Sequence, residues 1–182
     1  MKIGFSTDQT IVLVGMMGVG KTSVGRKLAK QLNMPFFDSD QEVELAAGST
    51  ISDIYEIYGE QAFKDTEYRV IKRLIETERP HILSTGVGAF ANEKSRQLIK
   101  ANTISVWIKA DIEKIIPRVT KRSHRPQLQN RDTEEAIKEL NDMYSEHYAE
   151  ADVIAECNTE NSNLTIGNII RALNNYSSGV SS

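Results

Sequence analysis

The chain has 182 residues, 22 of them Lys or Arg and 25 Asp or Glu, for a formal charge of −3. Hydrophobic residues make up 40% and charged residues 26%. That composition can build a core, and it excludes a disordered tail, a collagen-like chain and a disulfide scaffold.

The small acidic excess argues against a dedicated nucleic-acid binder. Cys157 is the sole cysteine, which rules out an intrachain disulfide and suits a reducing, cytoplasmic setting. Met1 to Thr10 lacks the apolar stretch of a signal peptide. The run Ile11 to Val14 is far short of the roughly 18 residues of a membrane span. Neither a leader nor a membrane partner is expected.

In chain order, Ile11 to Val14 is a β-branched run stopped by Gly15 and reads as a buried strand. Thr22 to Leu32 carries Val24, Leu28, Ala29 and Leu32 at helical spacing. Phe36-Phe37 reads as a short second strand. Ile51 to Tyr58 and Gln61 to Thr77 read as helices, the second with Phe63, Glu67, Val70, Ile71, Leu74 and Ile75 at helical positions. His81 to Ser84 is a third strand and Glu93 to Lys100 a helix. Thr103 to Ile108 is a fourth strand. Asp111 to Lys121 and Thr133 to Tyr148 are helices, Asp152 to Ala155 a last strand, and Thr165 to Tyr176 a closing helix. Ser177 to Ser182 is a small, polar tail expected to fray.

Alternation of strands and helices with short connections means βαβ units and a parallel sheet. Five strands give one three-layer α/β/α domain. Its ligands should lie beyond the carboxyl ends of the strands.

Gly15-Met16-Met17-Gly18-Val19-Gly20-Lys21-Thr22 fits G-x-x-x-x-G-K-[ST] at every fixed position, between an apolar strand and an amphipathic helix. Such a loop wraps its N–H groups around phosphate oxygens, and the helix adds its N-terminal partial charge. Lys21 is placed to reach the β- and γ-phosphates, and the Thr22 hydroxyl to ligate Mg²⁺. The reading is a P-loop NTP user.

No Walker B acid follows the third or fourth strand. The third ends Leu83-Ser84-Thr85-Gly86, and Asp111 reads as an N-cap. The acids come early, as Asp38-Ser39-Asp40 after the second strand, which is expected beside the first. On an extended segment both carboxylates point the same way. Asp38 then supports Mg²⁺ through water, and Asp40 faces an acceptor hydroxyl. Two helix caps are the other reading of such a pair.

Gly15 to Thr22, Asp38-Ser39-Asp40, Phe63 to Glu67, Thr85-Gly86-Val87-Gly88-Ala89-Phe90, Arg125-Pro126 and Tyr148 to Asp152 fall in the order and spacing of shikimate kinase. The resemblance runs from about Thr10 to Leu173. It implies a P-loop, nucleoside-monophosphate-kinase-like fold with a five-stranded parallel sheet and a lid, as one domain over 1–176. It implies transfer of the γ-phosphate of ATP to the 3-hydroxyl of shikimate, with Mg²⁺, by a monomer. Gly18, Val19, Gly20, Lys21, Thr22 and Ser23 match the nucleotide loop, and Asp38 the acid near Mg²⁺. Asp40 matches the carboxylate on the acceptor hydroxyls and the candidate base. Arg125 matches the lid arginine on the transferring phosphate. Arg118 matches the arginine that stacks on adenine, with Arg122 and His124 as neighbours in that alignment. Gly86 and Gly88 match glycines lining the acceptor pocket.

Lys121 to Arg131 is polar and basic, as a mobile lid requires; a solvated surface loop has the same composition. Phosphoryl transfer needs in-line positioning and cations on the equatorial oxygens, which Lys21, Mg²⁺ and Arg125 would supply.

Three positions depart from the family. Lys64 stands where an arginine pairs with the substrate carboxylate, keeping the charge but losing the fork. Val87 replaces the middle glycine of a Gly-Gly-Gly run, where a side chain would crowd the substrate or need a φ that Val tolerates badly. Tyr144 falls where a second carboxylate-binding arginine is expected; losing one arginine from such a clamp costs about 2–5 kcal/mol. All three lie on the acceptor side. The alternative is a sibling kinase with another acceptor. Glu67 either braces Lys64 or lies on a solvated helix face. Trp107 reads as core and Cys157 as an inert thiol.

Overall fold

A computed structural model describes residues 4–121 and 133–179. Ile11–Val14 forms β1, and every residue of it is buried. It pairs in parallel with β3 (Ile82–Ser84) through Ile11 opposite Ile82 and Val12 opposite Leu83. On its other side lies β4 (Ile104–Lys109), with Val14 opposite Trp107. β2 (Phe36–Asp38) flanks β3 and β5 (Val153–Glu156) flanks β4, giving the order β2-β3-β1-β4-β5. Strands covered on both faces read as continuous apolar runs, which is why Ile11 to Val14 was so legible.

One expectation about the sheet is corrected. β2 does not lie beside β1, because β3 runs between them. The physical reason is burial. Ile82 and Leu83 are fully buried and suit an interior strand, whereas Phe36, Phe37 and Asp38 are half-buried and suit an edge.

α1 (Lys21–Leu32) lays Val24, Leu28 and Ala29 on the core and ends at Asn33 in a left-handed conformation. α2 (Ser39–Ala47) begins directly after β2 and was not expected. Within it Val43 is the one apolar residue that is buried, so it carries almost no helical signature. α3 (Ile51–Tyr58) and α4 (Glu60–Thr77) follow as expected. α5 (Glu93–Asn102) opens on an Asn92 cap. α6 (Ile112–Thr120) opens on Asp111, whose carboxylate accepts from the Glu113 N–H at 3.1 Å. α7 (Thr133–Tyr148) and α8 (Ser162–Ser177) complete the helices among the described residues. Helices flank the sheet: α1 contacts α8, α4 contacts α5, and α6 contacts α7. No helix among the described residues is long and apolar enough to cross a membrane.

Tyr148, 1% exposed, closes α7. Its hydroxyl donates to the Val87 carbonyl at 2.5 Å, and its ring packs by Trp107 and edge-on to Tyr144. It ties α7 to the loop after β3. Removing the hydroxyl leaves a buried carbonyl without its donor, so Tyr148→Phe should lose about 1–2 kcal/mol in denaturant unfolding. An unchanged midpoint would contradict that role.

Candidate active site

The loop between β1 and α1 is packed too closely for side chains at two glycines. A Cβ on Gly15 would lie 2.7 Å from the Ile108 carbonyl oxygen. Gly18 has φ +84°, and a Cβ there would lie within 2.9 Å of methyl groups of both Ile115 and Val119. The loop is thus pressed against β4 and α6 in a conformation that glycine permits. Lys21 curls back over it, its Nζ donating to the carbonyls of Gly15 at 2.7 Å and Met16 at 2.8 Å. No side chain caps α1, and no acid lies in its first turn. Its leading N–H groups therefore suit an anion.

Asp38 connects this loop to α2. One carboxylate oxygen accepts from the N–H groups of Asp40 at 3.0 Å and Gln41 at 3.3 Å, capping α2. The other accepts from the Thr22 hydroxyl at 2.6 Å. Asp38 is therefore both a cap and a partner of the phosphate loop. Asp40 is not on an extended segment, as the sequence suggested, but in the first turn of α2. The cap turns it toward the same cleft.

The pair Thr22 and Asp38 fits Mg²⁺ by donor type, since a hydroxyl and a carboxylate are hard oxygen ligands. Among the described residues no group of three or more His, Cys, Asp or Glu could hold a metal ion. An ion here must complete its shell from phosphate and water, as nucleotide-borne Mg²⁺ does.

A cleft of about 610 Å³ opens over the carboxyl ends of the strands. It gathers Gly18, Gly20, Lys21, Thr22, Ser23 and Arg118 with Asp38, Asp40, Gly86 and Val87. Thr85, quoted with the Gly86 motif, lines it too, as do Ser84, Arg26 and Lys27, which were not singled out from the sequence. Arg26 and Lys27 follow Thr22 and Ser23 by one helical turn, a spacing that could have found them. Val19, Lys64, Gly88 and Tyr144 do not line this cleft. Val19 is buried in the loop, its carbonyl accepting from Cys157 Sγ at 3.4 Å. Burial raises the Cys157 thiol above its usual range, which suits an unreactive group. Arg125, and the expected lid from 122 onward, lie outside the described residues.

Gly86 lines the cleft beside Asp40. Its N–H donates to Ser39 Oγ at 3.1 Å. A Cβ on it would lie 2.7 Å from Glu67 Oε1 and 2.8 Å from Asp40 Oδ1. Glu67 is 2% exposed, so it is not on a solvated face. Nor does it brace Lys64, whose Nζ pairs with Glu60 at 3.0 Å instead. Burial, and next the charge of Asp40, push the Glu67 carboxyl up to about 8, while Lys64 acts in the opposite direction.

Val87 needs no strained backbone: Asn33 is the one non-glycine residue at positive φ among those described. Val87 is 5% exposed and lines the cleft. Tyr144 is half-buried, and a Cβ on Gly88 would meet its hydroxyl at an ordinary 3.5 Å. Burial raises the Tyr144 phenol, with Lys64 acting against it. Lys64, Glu67 and Tyr144 thus form one electrostatic neighbourhood beyond Asp40.

A parallel five-stranded sheet, a G-x-x-x-x-G-K-T loop and an acid pair above it define a P-loop kinase of small molecules. The family model for shikimate kinase matches residues 17–174. The shikimate kinase of Caulobacter vibrioides is 51% identical over 148 residues, 81% of this chain and 74% of that protein. That of Zymomonas mobilis is 50% identical over 143 residues, 79% of this chain and 81% of that protein. The structure of shikimate kinase from Acinetobacter baumannii in complex with shikimate superposes with a TM-score of 0.83, at 31% identity, over 96% of each chain. The chain belongs to the shikimate kinase family, enzymes that use ATP to phosphorylate shikimate.

The two flanking glycines should behave differently. Gly86→Ala displaces Asp40 and Glu67 and should lower kcat/KM by about 100-fold, the cost of a misplacement near 1 Å. Gly88→Ala adds only an ordinary contact and should stay within a few-fold of the parent. Equal losses in steady-state kinetics would contradict this geometry.

Proposed function

We propose that this protein transfers the γ-phosphoryl group of ATP to the 3-hydroxyl of shikimate, releasing shikimate 3-phosphate and ADP. The observation that carries the residue assignment is the shared cleft: Asp40 opens onto the same space as Lys21, Thr22 and Asp38. The phosphates lie along Gly18 to Ser23, where backbone N–H groups and the start of α1 receive them. Lys21 exchanges its carbonyl partners for β- and γ-phosphate oxygens. Thr22 and Asp38 would hold Mg²⁺, which supplies positive charge to those oxygens. Arg118 covers adenine at the rim of the cleft.

At the acceptor end Asp40 takes the proton of the attacking hydroxyl. The new O–P bond forms as the bond from Pγ to the bridging oxygen breaks, and ADP leaves with that electron pair. Arg125 would supply positive charge to the transferring phosphoryl group. Gly86, Val87 and Gly88 border the shikimate ring. Lys64 and Tyr144 meet its carboxylate, Lys64 by exchanging Glu60 for the substrate. The chain works as a cytoplasmic monomer, with 1–176 as one kinase domain and 177–182 as a tail.

ADP release in a coupled assay with shikimate tests the reading. Turnover should require both substrates and Mg²⁺. Asp40→Asn should lower kcat by about 10²–10⁴-fold, the span of general-base contributions, with ATP affinity retained. Lys64→Ala should raise KM for shikimate and leave KM for ATP alone. ATP binding without phosphorylation of shikimate, or full activity in Asp40→Asn, would overturn it.

A further inference from the structure

Glu67 is the least explained group near the site. It lies on α4 among Phe63, Val70, Ile71 and Leu74. Its Oε1 is buried and has no hydrogen-bond partner. That oxygen and Asp40 Oδ1 converge on one point, the place a Cβ of Gly86 would occupy. The lysine one turn away offsets this only in part, because Lys64 Nζ pairs with Glu60 at 3.0 Å. Among the described residues, the other groups facing Glu67 are neutral or acidic: Asp40 from α2, Tyr55 from α3, and Tyr144 and Tyr148 from α7. A buried, unpaired carboxyl beside a second carboxyl keeps its proton, since two negative charges there would repel in a medium that screens poorly.

We propose that Glu67 is a positioning residue that works as the neutral acid, leaving the negative charge at the acceptor end on Asp40 and so keeping that end open to an anionic acceptor. The proposal rests on Asp40 being the carboxylate that faces the acceptor hydroxyl. When Glu67 loses its proton, a second negative charge stands behind Asp40 and repels the carboxylate of the acceptor. The nucleotide, at the other end of the cleft, is not affected. The sign is fixed by the direction of the shift: a carboxyl raised to about 8 is neutral below that pH and charged above it. The same shift predicts that the fold loses stability as pH rises from about 4.5 to about 8, the range in which the unfolded chain has given up a proton that the folded one still holds.

The test is KM for shikimate and for ATP, measured at pH values well below and well above 8. KM for shikimate should rise by roughly tenfold across this range, with KM for ATP following its own flat course. In Glu67→Gln, where no proton can be lost, KM for shikimate should not rise with pH. A purely structural glutamate would give the same pH course in both proteins, and that result would overturn the proposal. Carbon-13 NMR of glutamate-labelled protein tests it without turnover. The side-chain carboxyl resonance missing from Glu67→Gln should titrate near 8, and Asp40→Asn should move that midpoint down. A midpoint in the ordinary carboxylate range, or one indifferent to Asp40, would also overturn it. Failure to phosphorylate shikimate at any pH would instead strike the reading of function and leave the NMR result to decide this one.

Discussion

One carboxylate joins the two halves of this site. Asp38 spends one oxygen on the N-terminus of α2 and the other on the Thr22 hydroxyl. The first bond fixes where α2 starts, and therefore where Asp40 points. The second fixes that helix against the phosphate loop. Charge-assisted hydrogen bonds of this kind hold geometry well because the acceptor is ionised. In the proposed reading, donor and acceptor substrates are registered to each other through this single side chain. The sheet order makes this bridge necessary: β3 separates β1 from β2, so the phosphate loop and the acid pair are not neighbours along the sheet.

Around that bridge the site is built largely by close approach. Gly15 and Gly18 let the loop sit directly on β4 and α6, and Gly86 leaves room for Asp40 and Glu67 to meet. Lys21, Arg26, Lys27, Arg118 and the start of α1 line the same cleft as the carboxyls of Asp38 and Asp40. An acidic chain can hold a local basic funnel for an anionic nucleotide, which its net charge of −3 conceals. Crowding carboxyls has its own cost, and a proton retained on Glu67 offsets it.

The phosphate loop was legible in the sequence because it is built mostly from backbone. A β-branched strand, glycines at fixed spacing and an amphipathic helix can be read without knowing what lies opposite them. The acceptor half, as proposed, draws on α2, the α4 face, the loop after β3 and α7, which are far apart in sequence. Asp38-Ser39-Asp40 looks extended when read alone, and α2 has little apolar pattern to reveal it. The position of β2 followed a sound rule for sequential strands, but burial decided otherwise. Glu67 did give a signal: it occupies a buried position in an apolar stripe of α4. A charged residue in such a stripe points to burial before any partner is known. Val87 was expected either to crowd the substrate or to need an unfavourable φ, and its ordinary backbone, which removes the second, became visible only in three dimensions.

The most direct test of the account is a crystal structure of the protein with ADP, Mg²⁺ and shikimate bound together. The account predicts the ADP phosphates on the N–H groups from Gly18 to Thr22, and the shikimate 3-hydroxyl on the Asp40 carboxylate. The shikimate carboxylate should be turned toward Lys64 and Tyr144, away from Glu67. Shikimate bound with its 3-hydroxyl away from Asp40, or phosphates seated off the loop, would contradict it.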